Sequence, residues 1–260
     1  MKPTGLSAKV VLVTGAARGI GAAVARAAFD EGARVVLADR DGDAAGALAR
    51  TWSADGASAR GEALDVTDPA AVDTLFDRIE RDWGGVDGVV NVAGVLSHAL
   101  VVDTSADDWR RVFAVNADGV FNVSRAAARR MIPRRTGAIV TVASNAAGVP
   151  RHGMAAYAAS KAAAAMFTRS LGLELAGFGI RCNVVLPGST RTAMLEPLLD
   201  NDGERRLIEG LPGTFKTGIP LGKIAEPTDV ADAVIFLLSD RASHITAASL
   251  YVDGGASLQG

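Results

Sequence analysis

Short runs rich in Val, Ile and Leu alternate along the chain with longer Ala-rich amphipathic stretches. This alternation restricts the fold most, because strands that are separated by helices pair as parallel neighbours. Several of the strand runs are almost entirely apolar, which is typical of strands buried on both faces of a sheet. The pattern therefore predicts a doubly wound parallel sheet of about seven strands with helices on both faces. The predicted strands are Lys9–Thr14, Arg34–Ala38, Ala57–Leu64, Gly88–Val92, Ala138–Val142, Ile180–Val185 and Ser249–Val252.

Helices are predicted between these strands, and the spacing of Ser105 and Asp108 predicts a capping box before the fourth of them. The chain has 260 residues, of which 49% are hydrophobic. That length and composition suit one α/β domain that spans residues 1–260. The predicted helices are Gly19–Glu31, Asp43–Ala54, Pro69–Asp82, Ala106–Ile132, Met154–Ala176 and Pro227–Ser239.

Residues 187–226 depart from this rhythm, because they lack a clear strand and are rich in proline. A long irregular insertion in a compact domain usually has a function. This one follows a strand, so it starts at the carboxyl edge of the sheet, where open α/β folds bind ligands. We expect it to be a lid over the substrate. Its prolines are Pro187, Pro197, Pro212 and Pro220, and Pro227 follows it directly.

The net charge of −2 and the pI near 5.9 give no general electrostatic case for nucleic acid. No apolar run approaches the ~20 residues of a membrane span, and the N-terminal apolar run is too short for a signal peptide. We therefore expect a soluble, cytoplasmic protein that binds neither nucleic acid nor membrane. The three histidines are far apart and show no metal-ligand spacing, so no metal site is predicted.

The run VVLVTGAARGIGAA places a strand, three glycines and a helix in succession. Gly15 permits a tight turn, Gly19 lets the backbone approach a pyrophosphate, and Gly21 lets the helix pack closely. The free N–H groups of the helix N-terminus would then face the phosphates. Because this pattern occupies the first strand–helix junction, it predicts a dinucleotide site in a Rossmann-type fold.

Asp39 ends the second predicted strand, eighteen residues after Gly21. A carboxylate at this position accepts hydrogen bonds from both ribose hydroxyls and repels a 2′-phosphate, which favours NAD over NADP. Arg18 and Arg40 leave the alternative open, since either could pair with that phosphate. Asp65 ends the third strand, where it would either contact the cofactor or cap the next turn.

Tyr157 and Lys161 are four residues apart in an Ala-rich helical run and so share one helix face. A phenol has a pKa near 10 and is a poor base at neutral pH. A cation ~4 Å away, at an effective dielectric constant of ~20, would lower that pKa by roughly three units. The spacing thus predicts that Lys161 makes Tyr157 a useful general base. Ser144, at the end of a predicted strand, would hold the substrate hydroxyl.

With these motifs the chain resembles the short-chain dehydrogenase/reductase family over nearly its whole length. The matching elements are TGAARGIG, NVAG at 91–94, Asn116, Ser144, YAASK, PGSTRT at 187–192 and VDGG at 252–255. The resemblance implies that Tyr157 is the base, that Ser144 orients the substrate and that Lys161 also binds the nicotinamide ribose. It further implies that Asn116 supports a water linking Lys161 to solvent, and that Thr192 holds the carboxamide. The remaining implied cofactor contacts are Arg18, Ile20, Val66, Asn91, Ala93, Gly94, Pro187, Gly188 and Thr190, and the implied assembly is a homotetramer.

Several longer runs, including Phe215–Ala225, resemble the family members that oxidise a cyclic dihydrodiol carboxylate. That resemblance implies a cation for the carboxylate, and Arg151 is the first candidate because a guanidinium binds a carboxylate in a bidentate manner. Arg191 and Lys216 are the other two. His152 and Ala193 depart from the expected pattern near the substrate. The alternatives are another substrate, such as a 3-oxoacyl thioester or a sugar alcohol, and a regulatory protein that binds NAD without turnover.

Overall fold

The computed structural model describes residues 3–53, 55–196 and 202–258. Its strands are β1 Val10–Thr14, β2 Arg34–Asp39, β3 Ala59–Ala63, β4 Gly88–Asn91, β5 Gly137–Val142, β6 Ile180–Pro187, β7 Gly210–Leu211, β8 Lys216–Thr217 and β9 Ser249–Val252. Its α-helices are α1 Gly19–Asp30, α2 Gly42–Arg50, α3 Pro69–Trp83, α4 Ala106–Phe113, α5 Gly119–Arg134, α6 Ala155–Ala176, α7 Gly203–Glu209 and α8 Pro227–Leu238. A π-helical turn spans Ala114–Asp118, and 3₁₀ turns span Val101–Asp103, Asn145–Ala147, Pro212–Thr214 and Asp240–Ala242.

In the described part of the chain, seven strands form one parallel sheet in the order β3-β2-β1-β4-β5-β6-β9. The order reverses between β1 and β4, and ligands of open α/β sheets bind at such a switch point, beyond the carboxyl ends of the strands. The predicted doubly wound Rossmann-type sheet is confirmed. Among the described residues, no helix is both long and apolar enough to cross a membrane.

Successive strand residues point to opposite faces of the sheet, and each face has its own apolar core. Val11, Val13 and Val35 pack with buried residues of α1, α2 and α8 on one face. On the other face, Leu12 and Val36 pack with buried residues of α3, α5 and α6. This double coverage explains why the strand runs are apolar throughout.

The single helix predicted over Ala106–Ile132 is wrong, because the π-helical turn divides it into α4 and α5. Apolar spacing does not distinguish a π turn from an α turn over so few residues. The conformation of Ala114–Asp118 instead depends on contacts with residues that are distant in the sequence. The predicted start of the helix is confirmed, since Ser105 Oγ accepts a hydrogen bond from the backbone N–H of Asp108 at 3.0 Å.

Two further predictions need correction. The second helix ends at Arg50 and not at Ala54, which lies outside the described residues, since the chain turns after Thr51. The insertion at 187–226 is also more regular than predicted. It contains α7 and an antiparallel pair in which Leu211 lies opposite Lys216. Pro197 lies outside the described residues. A two-residue pair is too short for periodicity to reveal.

Candidate active site

All three glycines of the turn between β1 and α1 disfavour a side chain, Gly15 and Gly21 for lack of space and Gly19 because of its positive φ. Gly15 has φ +67°, and a Cβ there would lie 2.8 Å from the backbone of Ala93. A Cβ on Gly21 would lie 2.1 Å from the carbonyl oxygen of Gly15, so only glycine lets α1 begin this close to β1. Gly19 has φ +57° and faces the side chain of Thr192 at 3.3 Å. The turn thus forms a backbone cradle at the N-terminus of α1, which is the geometry that a pyrophosphate requires.

The carboxylate of Asp39 is fixed beside this cradle at the end of β2. Its Oδ2 accepts a hydrogen bond from the Ala17 N–H at 3.0 Å, and its Oδ1 accepts one from the Asp41 N–H at 3.0 Å. Each oxygen keeps a lone pair for a ribose hydroxyl. The charge therefore lies where an adenosine ribose would lie in a dinucleotide fold.

Asp65 caps the turn that follows β3, which was one of the two interpretations of this residue. Its Oδ1 accepts hydrogen bonds from the N–H of Thr67 at 2.9 Å and from its hydroxyl at 2.8 Å. These bonds, with the charge of Arg40 as a smaller cause, hold the pKa of Asp65 below its ordinary value. The carbonyl of Val66 accepts a hydrogen bond from Asn122 Nδ2 at 3.0 Å, which fixes the same segment to α5.

The segment after β4 is held in place by Thr14, a residue that sequence reasoning did not single out. The Thr14 hydroxyl accepts hydrogen bonds from the N–H groups of Val92 at 3.1 Å and Ala93 at 3.3 Å. Asn91 is buried and donates to Ser124 Oγ at 3.0 Å and to Thr141 Oγ1 at 3.2 Å. The sequence did contain a signal for the role of Thr14, because Thr14 is a hydroxyl residue at the end of the otherwise apolar strand β1.

Asn116 lies in the π-helical turn and is fully buried. Its side chain accepts a hydrogen bond from the Val95 N–H at 2.8 Å and donates to the Val95 carbonyl at 2.9 Å and to Ser160 Oγ at 3.0 Å. Ser160 in turn donates to the carbonyl of Tyr157 at 2.7 Å. Asn116 therefore ties the loop after β4 to the helix that carries Tyr157 and Lys161.

Ser144, Tyr157 and Lys161 meet where β5 and α6 converge. Tyr157 and Lys161 are both buried in α6, and Tyr157 forms a side-chain hydrogen bond with Ser144. Lys161 Nζ donates to the carbonyl of Val142 at 3.1 Å and lies 5.9 Å from the centroid of the Tyr157 ring. The i, i+4 spacing thus brings the phenol and the ammonium together, next to the hydroxyl at the end of β5.

The predicted fall in the pKa of Tyr157 is wrong for the protein without its cofactor. Burial raises the pKa of the Tyr157 phenol, and the hydrogen bond with Ser144 offsets this only in part. Burial also lowers the pKa of Lys161 to about 8. Sequence spacing predicted the proximity of the two groups but not their desolvation, which here opposes the charge of both.

A pocket of about 450 Å³ opens above these three residues, and apolar side chains such as Leu195, Leu207 and Leu211 form much of its wall. Arg151 and Lys216 also line it, together with His98 and His152. Burial lowers the pKa of Lys216 to about 8, with the positive charge of Arg151 as a smaller cause. The pocket therefore joins a hydroxyl and a phenol at one end to cationic side chains elsewhere in its lining.

Arg191, one of the three carboxylate-ligand candidates from the sequence, is already paired with acidic side chains. Its guanidinium forms ion pairs with Glu204 at 2.9 Å and with Glu226 at 3.0 Å, outside the pocket lining. Ala193 is exposed and is likewise absent from the described lining. The neighbouring residues that do line the pocket are Pro187, Gly188, Ser189, Thr190, Thr192 and Met194.

Comparison with known proteins agrees with this geometry. Residues 15–257 match the family described as enoyl-(acyl carrier protein) reductase. A crystal structure of a short-chain type dehydrogenase/reductase from Mycobacterium marinum superposes with a TM-score of 0.89 at 33% identity, over 99% of this chain and 98% of that one. The chain belongs to the short-chain dehydrogenase/reductase family. It is an oxidoreductase, and the cofactor of this family is NAD or NADP, which the glycine cradle fits.

Two curated short-chain dehydrogenases are similar to this chain over almost their full length. The 2,3-dihydro-2,3-dihydroxybenzoate dehydrogenase of Bacillus subtilis (strain 168) is 51% identical over 259 residues, which cover 99% of both chains. The enzyme of the same name from Escherichia coli (strain K12) is 44% identical, over 97% of this chain and 98% of its own.

Proposed function

We propose that the protein oxidises 2,3-dihydro-2,3-dihydroxybenzoate to 2,3-dihydroxybenzoate with NAD, a step of catecholate siderophore biosynthesis. The observation that carries this proposal is the pocket that holds Ser144, Tyr157 and Lys161 together with Arg151. A hydroxyl and a phenol suit the alcohol that is oxidised, and a guanidinium suits the carboxylate of the same molecule. The two relatives named for this reaction support the choice of substrate.

In this mechanism Tyr157 Oη removes the proton of the C3 hydroxyl. Bound NAD supplies the hydride acceptor for C3. Ser144 Oγ holds the substrate oxygen next to the phenol, and its own hydrogen bond with Tyr157 supports this role. The C3 ketone that results tautomerises to the aromatic catechol, and the gain of aromaticity makes the overall step effectively one-way.

Lys161 and Asn116 act by holding other groups of the site in place. Lys161 Nζ binds the nicotinamide ribose and, through a water held near Asn116, returns the proton to solvent. The hydrogen bonds of Asn116 to Val95 and Ser160 support this role, because they fix the segment next to Nζ. A cationic Lys161 and the positive charge of oxidised NAD both favour the phenolate of Tyr157, against the burial that raises its pKa.

Gly15, Gly19 and Gly21 would hold the cofactor in their cradle, and Asp39 would select NAD by accepting hydrogen bonds from the ribose hydroxyls. Arg18 and Ile20 would line the phosphates, and Val66 would border the adenine together with Asp65, whose Oδ1 also caps the turn after β3. Thr192, whose methyl group lies 3.3 Å from the position of a Cβ on Gly19, holds the carboxamide. The other cofactor contacts that we propose are Asn91, Ala93, Gly94, Pro187, Gly188 and Thr190.

We further propose one domain over residues 1–260, with a lid at 187–226, in a cytoplasmic homotetramer. Large apolar side chains are exposed on two separate faces, and they support assembly through two interfaces. One face includes Trp109, Phe121 and Met166 of α4, α5 and α6, and the other includes Phe236 and Leu250 of α8 and β9.

The test is to incubate the purified protein with NAD and 2,3-dihydro-2,3-dihydroxybenzoate, and to follow NADH absorbance with the catechol fluorescence of the product. The two products should form in equal amounts, since each hydride removed yields one aromatic ring. Acetoacetyl thioesters with NADH or NADPH, and sugar alcohols with NAD, are the competing substrates. Turnover of one of these without turnover of the dihydrodiol would contradict the proposal.

A further inference from the structure

Two of the basic side chains that line the substrate pocket, Arg151 and Lys216, have little to neutralise them. Arg151 is partly buried and donates one long hydrogen bond, at 3.5 Å, to the carbonyl of Ala256. Among the described residues, no acceptor forms a hydrogen bond or an ion pair with Lys216 Nζ. A half-buried cation without an anionic partner is unfavourable, and a second cation beside it makes it more so.

Asp253, the carboxylate whose charge acts on Arg151, is already committed to other donors. It accepts hydrogen bonds from Asn145 Nδ2 at 3.1 Å and from the Gly255 N–H at 3.0 Å, and the hydroxyl of Ser257 donates to it as well. Its charge only partly offsets the burial that lowers the pKa of Arg151. Asp253 therefore supports the turn after β9 and leaves the two cations largely uncompensated.

The contacts of the lid bring Lys216 to this position. Lys216 lies opposite Leu211 in the pair β7–β8, and the next residue, Thr217, donates its hydroxyl to the carbonyl of Ala256 at 2.8 Å. Arg151 reaches the same carbonyl oxygen. One carbonyl of the C-terminal turn thus anchors both the lid strand and the loop before α6, and each of these two segments contributes a cation to the pocket.

We propose that Lys216 is a second ligand for the substrate carboxylate, opposite Arg151, so that the lid selects substrates by their negative charge. This inference rests on the proposed function. A carboxylate has two oxygens, and one would bind the guanidinium while the other binds the ammonium. A neutral substrate would leave the two cations facing each other over an apolar wall, so the pocket disfavours it as well as failing to attract it.

The test compares a carboxylate with its neutral amide in wild type and in Lys216→Met, which keeps most of the stem and removes the charge. The kinetic pair is 2,3-dihydro-2,3-dihydroxybenzoate and its primary amide, and the binding pair is benzoate and benzamide. Lys223→Met is the matched control, because Lys223 lies in the same insertion but pairs with Asp229 at 3.3 Å. Arg151→Leu completes a double-mutant cycle with Lys216→Met.

Lys216→Met should reduce the acid-over-amide ratio of kcat/KM by at least ~10-fold, the factor that corresponds to ~1.4 kcal/mol. Most of the loss should fall on KM for the acid, while the amide is used at least as well as before, because one of the two mutually repelling cations is gone. The control should keep the wild-type ratio. An equal fall for acid and amide would overturn the proposal, since it would mean that Lys216 only supports the lid.

The binding pair separates failure of this inference from failure of the proposed function. If wild type does not oxidise the dihydrodiol, the proposed function fails. If wild type binds benzoate no better than benzamide, or if Lys216→Met keeps the full preference for benzoate, the two-cation site fails, whatever the substrate is.

Discussion

Replacement of Asp39 by Asn removes the charge that we expect to exclude NADP, while the side chain keeps its shape. A carboxylate and a 2′-phosphate of charge about −2, ~5 Å apart in a water-like dielectric of ~80, repel by roughly 1.7 kcal/mol, or about 15-fold. The exposed side chains of Arg18 and Arg40 lie close in sequence and reduce this repulsion, so we expect at least ~10-fold preference for NAD in wild type. Asp39→Asn should remove most of that preference.

The assay is kcat/KM for NAD and for NADP with saturating dihydrodiol. The ratio should change mainly through a higher kcat/KM for NADP. The value for NAD should change less, because the Asn amide oxygen still accepts one of the two hydrogen bonds that Asp39 receives from Ala17 and Asp41. Asp43→Asn is the matched control, since it removes an exposed acid from the first turn of α2. Equal use of both cofactors by wild type, or an unchanged ratio in Asp39→Asn, would refute the reasoning.

Three further predictions concern the buried groups of the site. Tyr157→Phe should lower kcat by at least ~10²-fold, the range for loss of a general base, while the affinity for NAD, measured by titration, should not change. Tyr251→Phe is the control. A near-normal kcat in Tyr157→Phe would contradict the mechanism. Lys161→Met should abolish turnover yet raise Tm at pH 7, because burial depresses its pKa to about 8 and so makes the charged form destabilising below that pH; a lower Tm would contradict this. Benzoate binding should be strongest below pH 8 and should weaken as Lys216, whose pKa is about 8, loses its proton at higher pH. This loss of affinity near pH 8 should be absent in Lys216→Met. If it persists in that variant, the pH dependence belongs to Lys161.

The sequence was sufficient for the fold because the relevant signals are local and repeated. Alternation of apolar strands with amphipathic helices is set by the period of each element, and the glycine turn identifies the first junction. The bounds of β9 were predicted without error, and those of β1 and β2 differ by one residue. The division between α4 and α5 could not be predicted, since it depends on the contacts of Asn116 with residues 21 and 44 positions away.

Proximity in the site was easier to predict than electrostatics. The spacing of Tyr157 and Lys161 brought the two groups to one helix face, but the direction of the Tyr157 pKa depends on burial, which the spacing does not contain. The sequence likewise did not predict which of the candidate cations remains without an anionic partner. Arg191 and Lys216 were equal candidates from the sequence, and they differ because Glu204 and Glu226 neutralise Arg191 in the folded chain.

The π-helical turn at Ala114–Asp118 makes the helix around it sensitive to a change in chain length of a single residue. Each i→i+5 hydrogen bond spans one residue more than its α-helical counterpart. Deletion of Ala117 would let α4 and α5 join as one continuous α-helix with little rotation of one against the other, because five residues of a π turn and four residues of an α-helix cover nearly the same angle. The helix would gain regularity, and Asn116 would turn away from Val95 and Ser160. The number of residues between α4 and α5 is therefore set by the active site and not by the hydrophobic core.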